Sequence, residues 1–379
     1  MHLKLNRLFA AIALFAAPTF ANAAYTITDL GLGTATAIND KGMVVGNRYN
    51  FGSYLWTNGN YVSLIPPPGA TLPFAGTLYS FTPMDINNNN VVSGSMYTQD
   101  GDRAFTWSNG TFSALPSLPF QYPNSQLKYS FAVGINNSDQ VIGSMVMPAY
   151  VGGGVWRATV WQSGAISTDV QWKTLAGDYP NVQWANTYGV AINDLGQVVG
   201  TSQSNTGWRP FIYSNGLMTE FTANGYDFSG VGPTDINNLG TIVGNGLGVG
   251  GFILSNGTVK LLSFEGGQFS KALSVNDYNL VVGMATVHDA YQSGHAFMFD
   301  GQAMTDLSLL PEVAAAGWSE LSYANDINNA GQIVGYGQIN GEQHAFLLTP
   351  VPEPETYAML LAGLGFVGVV AQRRKQTLE

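Results

Sequence analysis

The sequence predicts an all-β fold, and more narrowly a seven-bladed β-propeller of four-stranded antiparallel blades. Three observations support this. Only 10% of the 379 residues are charged while 46 are glycine, and a chain poor in helix formers favours strands and turns. A nine-residue motif occurs seven times, with an average spacing of about 48 residues. A second turn signal follows most copies, so each repeat has the length and strand count of a propeller blade.

The recurring motif predicts a tight hairpin. Its second residue is always asparagine, namely Asn39, Asn87, Asn136, Asn193, Asn237, Asn276 and Asn328. Its fifth residue is Gly42, Asn90, Asp139, Gly196, Gly240, Asn279 or Gly331. These residue types tolerate a positive φ, so we expect a turn that closes through a left-handed residue. The asparagine side chain is expected to bond the backbone N–H groups ahead of it.

A second hairpin is predicted in six repeats, because Asn-Gly or a similar pair lies between apolar runs, as in residues 211–221 and 252–262. The last repeat lacks a fourth strand after residues 344–348. However, residues 28–30 read Thr-Asp-Leu, like residues 305–307 in the outer strand of the sixth repeat. The N-terminal strand is therefore expected to complete the last blade and close the ring. An open β-solenoid, the alternative, would not need this strand.

The N-terminal segment, residues 1–23, has the layout of a secretory signal peptide. Lys4 and Arg7 precede an apolar run, and Ala21-Asn22-Ala23 provides small residues for cleavage after Ala23. The run is interrupted by Pro18 and is short for a membrane span. We therefore expect an exported mature chain whose propeller occupies residues 24–350.

The C-terminal segment, residues 351–379, has three parts in order. These are the motif Pro352-Glu353-Pro354, an apolar stretch at 357–371 and the basic cluster Arg373, Arg374 and Lys375. The stretch predicts a single short transmembrane helix of roughly 22 Å, a marginal span for a hydrocarbon core of about 30 Å. The basic cluster would hold its end in the cytoplasm.

This order of parts resembles the PEP-CTERM sorting signal of Gram-negative bacteria. The resemblance implies that a membrane enzyme, exosortase, recognises Pro352, Glu353 and Pro354 and removes the helix. It also implies export across the inner membrane by the secretion machinery, a membrane-anchored precursor, and a final location at the cell surface or outside the cell. Proteins with this signal are associated with exopolysaccharide and biofilm production.

The repeats resemble the HAF family of extracellular repeats, named for a His-Ala-Phe triplet in the third strand. The triplet stands at His295-Ala296-Phe297 and at His344-Ala345-Phe346, and residues 103–105 keep two of its three positions. The resemblance spans nearly all of the mature chain. Since the family carries no agreed biochemical activity, it supports the architecture and leaves the function open.

Composition and motifs argue against several functional classes. A net charge of −10 leaves no basic face for nucleic acid, and the absence of cysteine excludes disulfides and thiolate chemistry. Asp85, Asp235 and Asp326 occupy the same position of three repeats, which favours a structural role over a catalytic pair. Residues 85–90 suit a calcium loop only superficially, because the twelfth position is Met96. No metal site and no cofactor are predicted.

Any ligand site is expected opposite the tight turns, where the connections are long, irregular and aromatic. The residues predicted to stack on sugar rings are Trp172, Tyr179, Trp184 and Trp318. The primary hypothesis is a non-catalytic, monomeric propeller that binds extracellular polysaccharide. The alternatives are a glycosidase or lyase using acids such as Asp100, Asp178, Asp227 or Asp289, and a protein–protein scaffold.

Overall fold

Short apolar segments separated by Asn, Asp and Gly form the strands of this protein, as their alternating pattern predicts. The computed structural model describes residues 24–49, 52–64, 78–98, 101–117, 129–148, 154–162, 165–169, 186–204, 206–223, 225–246, 250–264, 269–287 and 294–351. Tyr25–Val351 is one compact unit. The all-β class is confirmed for these residues, since α1 is their only α-helix.

The strands run in chain order as follows. They are β1 (Tyr25–Ile38), β2 (Val44–Arg48), β3 (Gly52–Thr57), β4 (Asn60–Ser63), β5 (Leu78–Ile86), β6 (Val92–Thr98), β7 (Gly101–Ser108), β8 (Thr111–Ala114), β9 (Ser130–Ile135), β10 (Gln140–Pro148), β11 (Gly154–Gln162), β12 (Ala165–Asp169), β13 (Thr187–Ile192) and β14 (Val198–Ser204). They continue with β15 (Gly207–Ser214), β16 (Leu217–Glu220), β17 (Val231–Ile236), β18 (Ile242–Gly246), β19 (Gly250–Ser255), β20 (Thr258–Leu262), β21 (Ser270–Val275), β22 (Val281–Thr286), β23 (Gly294–Phe299), β24 (Met304–Asp306), β25 (Trp318–Ile327), β26 (Ile333–Ile339) and β27 (Glu342–Pro350). A 3₁₀ turn (Leu307–Leu309) and the short helix α1 (Pro311–Ala315) precede β25, within a connection that the sequence predicts to be irregular.

The described strands form six antiparallel sheets. Five sheets have four strands each: β5–β8, β9–β12, β13–β16, β17–β20 and β21–β24. The sixth has seven strands in the order β25-β26-β27-β1-β2-β3-β4. It is larger because β1 is continuous and serves two repeats. Residues from Gly33 onward pair with β2, whereas residues from Tyr25 to Leu32 pair with β27.

The predicted pairing of the N-terminal strand with the last repeat is present. Asp29 lies opposite Phe346, just as Asp306 lies opposite Phe297 in the sixth repeat. The histidine of each His-Ala-Phe triplet contacts the aspartate of this outer strand. His344 Nδ1 is 2.8 Å from Asp29 Oδ1, and His295 Nδ1 is 2.7 Å from Asp306 Oδ2. The hydrogen bond to Asp306 is the largest cause that raises the pKa of His295.

The invariant glycine of the motif is explained by close packing beneath the inner strand. A Cβ on Gly335 would overlap the backbone oxygen of Tyr323 and lie 3.0 Å from the Phe346 ring. Phe105, Phe211, Phe252 and Phe297 pack over the equivalent glycines in the same way. These phenylalanines are fully buried and belong to the apolar layers between neighbouring repeats.

The predicted turn conformation is confirmed at every copy of the motif. The fifth residue has a positive φ in each, from 58° at Asp139 to 77° at Gly240. Because the strands are antiparallel, these turns and the outer Asn-Gly turns share one end of the sheets, which we name the turn face. The connections between second and third strands, and those between sheets, lie at the opposite end, which we name the loop face.

The predicted signal peptide and most of the predicted C-terminal sorting segment lie outside the described residues. These include the cleavage residues Ala21 and Ala23, the motif Pro352, Glu353 and Pro354, the apolar stretch 357–371 and the basic cluster 373–375. Across the described ranges, no helix has the length and apolar character needed to cross a membrane.

Candidate functional site

The motif asparagines form a hydrogen-bonded ring at the turn face. In each repeat the asparagine Nδ2 donates to the backbone oxygen of the corresponding asparagine in the next repeat, at 2.8–3.0 Å. The series begins with Asn39 donating to Asn87, and Asn328 donates back to Asn39, so it closes on itself. All seven side chains are buried. The asparagine therefore holds its own turn and also joins neighbouring repeats.

The next residue of each motif forms a second ring, composed of Asp40, Asn88, Asn137, Asp194, Asn238, Asp277 and Asn329. Each backbone N–H donates to the side-chain oxygen of the next member, at 2.7–2.9 Å. Three of the seven members are aspartates, and no two of them are neighbours. Three is the largest number of carboxylates for which this is possible in a ring of seven. The asparagine amides donate to the intervening carboxylates, as Asn238 does to Asp194 and Asp277. This order limits repulsion between the three charges.

Three further carboxylates, Asp85, Asp235 and Asp326, lie deeper along the same axis. Each binds the backbone N–H of its own following residue and that of the equivalent residue in the next repeat. Asp85 bonds Ile135 N, Asp235 bonds Val275 N and Asp326 bonds Ile38 N, all at 2.8 Å. These bonds join the inner strands of neighbouring repeats and support the structural role that the sequence favours.

The axial cavity has two parts that share these carboxylates. The part at the turn face has a volume of about 170 Å³ and is lined by both rings. The other part, of about 150 Å³, lies toward the loop face. Every inner strand has a register shift at the residue two positions before the motif, and all seven of these residues line this part: Thr36, Met84, Val133, Val190, Thr234, Leu273 and Asn325.

Ser274 lies between two of these carboxyl groups. Its Oγ lies 2.7 Å from Asp326 Oδ1 and 3.0 Å from Asp235 Oδ2. A hydroxyl group donates only one hydrogen, so both contacts are hydrogen bonds only if one of the two carboxyl groups is protonated. Burial, followed by the charge of Asp326, raises the pKa of Asp85 to about 7. Burial is also the largest cause that raises the pKa of Asp235 to about 6, and it raises the pKa of Asp326.

These raised pKa values predict that the protein is more stable in mild acid. The folded pKa exceeds the ordinary value of 3.8, so the native state binds more protons than the unfolded state between about pH 4 and pH 7. The stabilisation that comes from the protons on these carboxyl groups is complete below pH 4 and is lost as the pH rises through 6 to 7. We expect the free energy of unfolding to fall over this range, by up to about 1.4 kcal/mol per pH unit for each proton involved.

Urea unfolding followed by far-UV circular dichroism at pH 4 to 8 measures this slope. Asp85→Asn is expected to flatten the slope, even if it also lowers stability by disturbing the bond to Ile135 N. Stability that rises from pH 4 to pH 7 in the wild type, or an unchanged slope in Asp85→Asn, would contradict the assignment.

The loop face carries a cluster of four aromatic rings, which we name the aromatic platform: Phe131, Trp156, Tyr188 and Trp208. All four lie near the starts of their strands, β9, β11, β13 and β15, in the third and fourth repeats. Ring centroids are 5.2 Å apart for Phe131 and Trp156, 6.1 Å for Trp156 and Tyr188, and 5.5 Å for Tyr188 and Trp208. The rings of Phe131 and Tyr188 are nearly parallel. Each ring is partly accessible, and Trp208 is 37% exposed.

Asn186 fixes the platform and places polar groups beside it. Its Oδ1 accepts from Trp156 N at 2.9 Å, and its Nδ2 donates to Gln203 Oε1 at 3.2 Å. Its backbone oxygen accepts from Gln203 N. One side chain thus holds β11, β13 and β14 together under the rings, and it leaves the exposed amide of Gln203 next to Trp208, with which Gln203 pairs. The platform combines apolar ring faces with hydrogen-bonding groups.

The residues singled out from the sequence have different outcomes. Trp318 is 6% exposed and packs against Phe346 and His344, so it offers no ring face to a ligand and its predicted stacking role is wrong for this structure. Trp172, Tyr179 and Trp184 lie outside the described residues, as do Asp100, Asp178 and Asp289. Among the candidate acids, Asp227 is exposed and accepts from Ser229 and Arg209, bonds that lower its pKa. A lowered pKa does not suit a general acid.

The platform residues belong to the aromatic loop face that the sequence predicts, but no sequence signal groups these four. They come from separate strands of two sheets, and their positions converge only in the folded chain. Within the described residues, no group of three or more His, Asp or Glu side chains is arranged to hold a metal ion.

Two family profiles match the chain. Residues 350–375 match the PEP-CTERM protein-sorting motif. The chain ends in a PEP-CTERM sorting signal. This signal implies an exported protein that is sorted to the cell envelope or surface and recognised by exosortase. Residues 263–347 match a family described as a protein of unknown function, DUF3466. The resemblance to HAF repeats stays a prediction.

Among solved structures, virginiamycin B lyase from Staphylococcus aureus matches at 12% identity and a TM-score of 0.48, over 86% of this chain and 100% of that one. YCF48 bound to a D1 peptide matches at 13% identity and 0.45, over 89% and 100%. Trypanosoma rangeli sialidase matches at 10% identity and 0.38, over 78% and 56%. No curated protein matches the sequence. At these values the likenesses assign neither activity nor ligand to this chain.

Proposed function

We propose that this protein is a non-catalytic, exported β-propeller of seven blades that binds extracellular polysaccharide through the aromatic platform. The closed series of seven asparagine bonds and the pairing of β1 with both β2 and β27 support the ring architecture. The sorting signal supports a location at the cell envelope or surface. The apolar stretch 357–371 would hold the precursor in the inner membrane until exosortase removes it.

The observation that carries the binding function is the arrangement of the platform. Pyranose rings present apolar C–H faces that pack on aromatic rings, while their hydroxyl groups need hydrogen-bonding partners. Tyr188 and Trp208 offer adjacent ring surfaces, and Gln203 and Thr206 are exposed beside Trp208. Because Asn186 ties the backbone of Trp156 to Gln203 before binding, less backbone conformational entropy is lost on association.

Trp208→Ala is expected to weaken polysaccharide binding by about 2 kcal/mol, roughly thirtyfold in Kd, as is typical for an exposed aromatic anchor. Affinity gel electrophoresis with β-1,3-glucan, xyloglucan and mannan would measure the loss. Tyr278→Ala is a matched control, because Tyr278 is 49% exposed but lies in a motif turn at the opposite face. Its binding should be unchanged.

The proposal fails if the wild-type protein is retarded by none of these polymers, or if Trp208→Ala is retarded as strongly as the wild type. Circular dichroism of both variants checks that the fold is intact. Release of reducing sugar from any of the polymers would overturn the non-catalytic assignment and favour a polysaccharide-active enzyme.

A further inference from the structure

A second aromatic group lies in other repeats, and one of its members holds the same strand position as two residues of the platform. Tyr323 occupies the position in β25 that Phe131 occupies in β9 and Tyr188 in β13, four residues before the first residue of the motif. The other repeats have Thr34, Thr82, Gly232 and Lys271 at this position. In all seven inner strands, the residue two positions closer to the turn lines the axial cavity. Phe131, Tyr188 and Tyr323 therefore lie at equivalent places in their inner strands, between the cavity-lining residue and the loop face.

Tyr323 is part of a group of three tyrosines, which we name the tyrosine group. Its ring stacks on Tyr336 at 5.0 Å with an angle of 17° between the planes. Burial, followed by the neighbouring Tyr323 and Tyr49, raises the pKa of Tyr336 to about 12. Tyr49 directly follows β2, at the loop-face end of the first repeat, and is 50% exposed. At neutral pH the phenol of Tyr336 therefore stays protonated and can donate a hydrogen bond.

The two groups belong to repeats that are not neighbours in the ring. The platform belongs to the third and fourth repeats, whereas the tyrosine group belongs to the seventh and the first. Because at least one repeat separates them on either side, a short ligand on the platform leaves the tyrosine group empty, whereas an extended chain can contact both. When one chain contacts both groups, the second contact forms at a high effective concentration. The overall affinity then exceeds that of either contact alone.

The charge along the axis favours one class of polysaccharide ligand. Six carboxylates line the two parts of the cavity: Asp40, Asp85, Asp194, Asp235, Asp277 and Asp326. No Lys, Arg or His of the described chain lines either part. Burial raises the pKa of Asp85, Asp235 and Asp326, which lowers their share of this charge, but the axis stays acidic and the whole chain carries a net charge of −10. An acidic polysaccharide crossing the mouth would be repelled by these like charges.

We propose that Tyr49, Tyr323 and Tyr336 form a second stacking subsite, and that the ligand is a long, uncharged polysaccharide that spans the mouth from this subsite to the aromatic platform. The inference rests on the proposed function, because it takes the platform as the first subsite. It adds a ligand of defined class, a neutral polymer rather than a short or acidic oligosaccharide.

The test measures binding of one neutral sugar as a series of chain lengths, from two to ten units, by titration calorimetry, together with alginate as an acidic polymer. The series is built from whichever neutral polymer retards the wild-type protein in the affinity gel. Wild-type affinity is expected to rise with length and to level off once the chain reaches both subsites. Alginate is expected to bind at least tenfold more weakly than the neutral polymer.

Two tyrosine-group variants separate the subsites. Tyr49→Ala removes an exposed ring, and Tyr336→Leu removes a half-buried ring while keeping an apolar side chain at that position. Each is expected to weaken the longest chains about tenfold and to leave the shortest chains unchanged. Trp208→Ala is expected to weaken both, because short chains bind the platform alone.

The outcomes distinguish the two proposals. If no neutral polymer binds the wild-type protein, the proposed function itself fails. If polymers bind at the platform but affinity does not depend on length, or if the tyrosine variants bind long chains like the wild type, only the second subsite is overturned. Equal or tighter binding of alginate overturns the assignment of an uncharged ligand.

Discussion

Replacement of Asn193 by alanine is expected to lower the free energy of unfolding by about 3 kcal/mol. The Asn193 side chain is 4% exposed and makes four hydrogen bonds. Its Nδ2 donates to the Asn237 oxygen in the next repeat and to Gln197 Oε1, and its Oδ1 accepts from Leu195 N and Gln197 N. Alanine leaves these buried groups without their partner, and it opens the ring between the fourth and fifth repeats.

Urea unfolding followed by tryptophan fluorescence measures this loss. Leu195→Ala is the matched control, because Leu195 lies in the same turn with 70% of its side chain exposed, and a change within about 0.5 kcal/mol is expected there. A loss below about 1 kcal/mol for Asn193→Ala would show that the ring adds little to stability.

Gly200→Ala is expected to destabilise the fold by about 3 kcal/mol or more, because it overpacks a site that has no free space. The new Cβ would overlap the backbone oxygen of Tyr188 and lie 2.6 Å from Cζ of Phe211. The backbone of β13 would have to move, since an oxygen of the main chain cannot rotate away. Tyr188 belongs to the aromatic platform, so binding of neutral polysaccharide is expected to weaken together with stability.

Gly232→Ala provides the matched control, since Gly232 also lies in a described strand but no heavy atom lies within 4 Å of the position that a Cβ would take there. Thermal unfolding should show a midpoint near that of the wild type for Gly232→Ala and a strongly lowered one for Gly200→Ala. The double variant Gly200→Ala with Phe211→Leu removes the ring contact but keeps the backbone overlap. Full recovery of stability in this double variant would show that the ring, and not the strand, forbids a side chain here.

The repeat architecture could be predicted from the sequence because each repeat depends on local chemistry. Residues that allow a positive φ at the fifth position of the motif specify its turn, and the structure has a positive φ there in all seven copies. Asn-Gly pairs such as Asn215-Gly216 specify the outer turns, where both residues have a positive φ. The match between residues 28–30 and 305–307 was sufficient to predict that β1 pairs with the last repeat.

The second bond of each motif asparagine could not be predicted in the same way. Within one repeat, Asn193 Oδ1 accepts from N–H groups two and four residues ahead, which is a local interaction that sequence reasoning can anticipate. The Nδ2 group donates to Asn237, 44 residues away in the chain. That partner is close only because neighbouring repeats pack side by side around an axis.

The candidate site shows the same limit. An aromatic loop face was predicted, but Trp318 proved to be buried against Phe346, whereas Trp208 is accessible. Sequence alone cannot separate an aromatic residue that fills space between repeats from one that faces solvent, because both satisfy the same pattern of apolar residues in strands. The pairing of Asp235 and Asp326 through Ser274 likewise joins residues from three repeats.

The sequence by itself therefore determined the all-β class, the repeated hairpins, the sorting signal and the strand that joins the first repeat to the last. These depend on backbone conformations that a few residue types specify within four or five positions, and on short sequence motifs that serve as sorting signals. Only the tertiary structure decided which aromatic rings form a platform, which carboxyl groups lie close together and which asparagines link into a ring. Those properties depend on burial and on contacts across the axis, and both arise only when the repeats pack together.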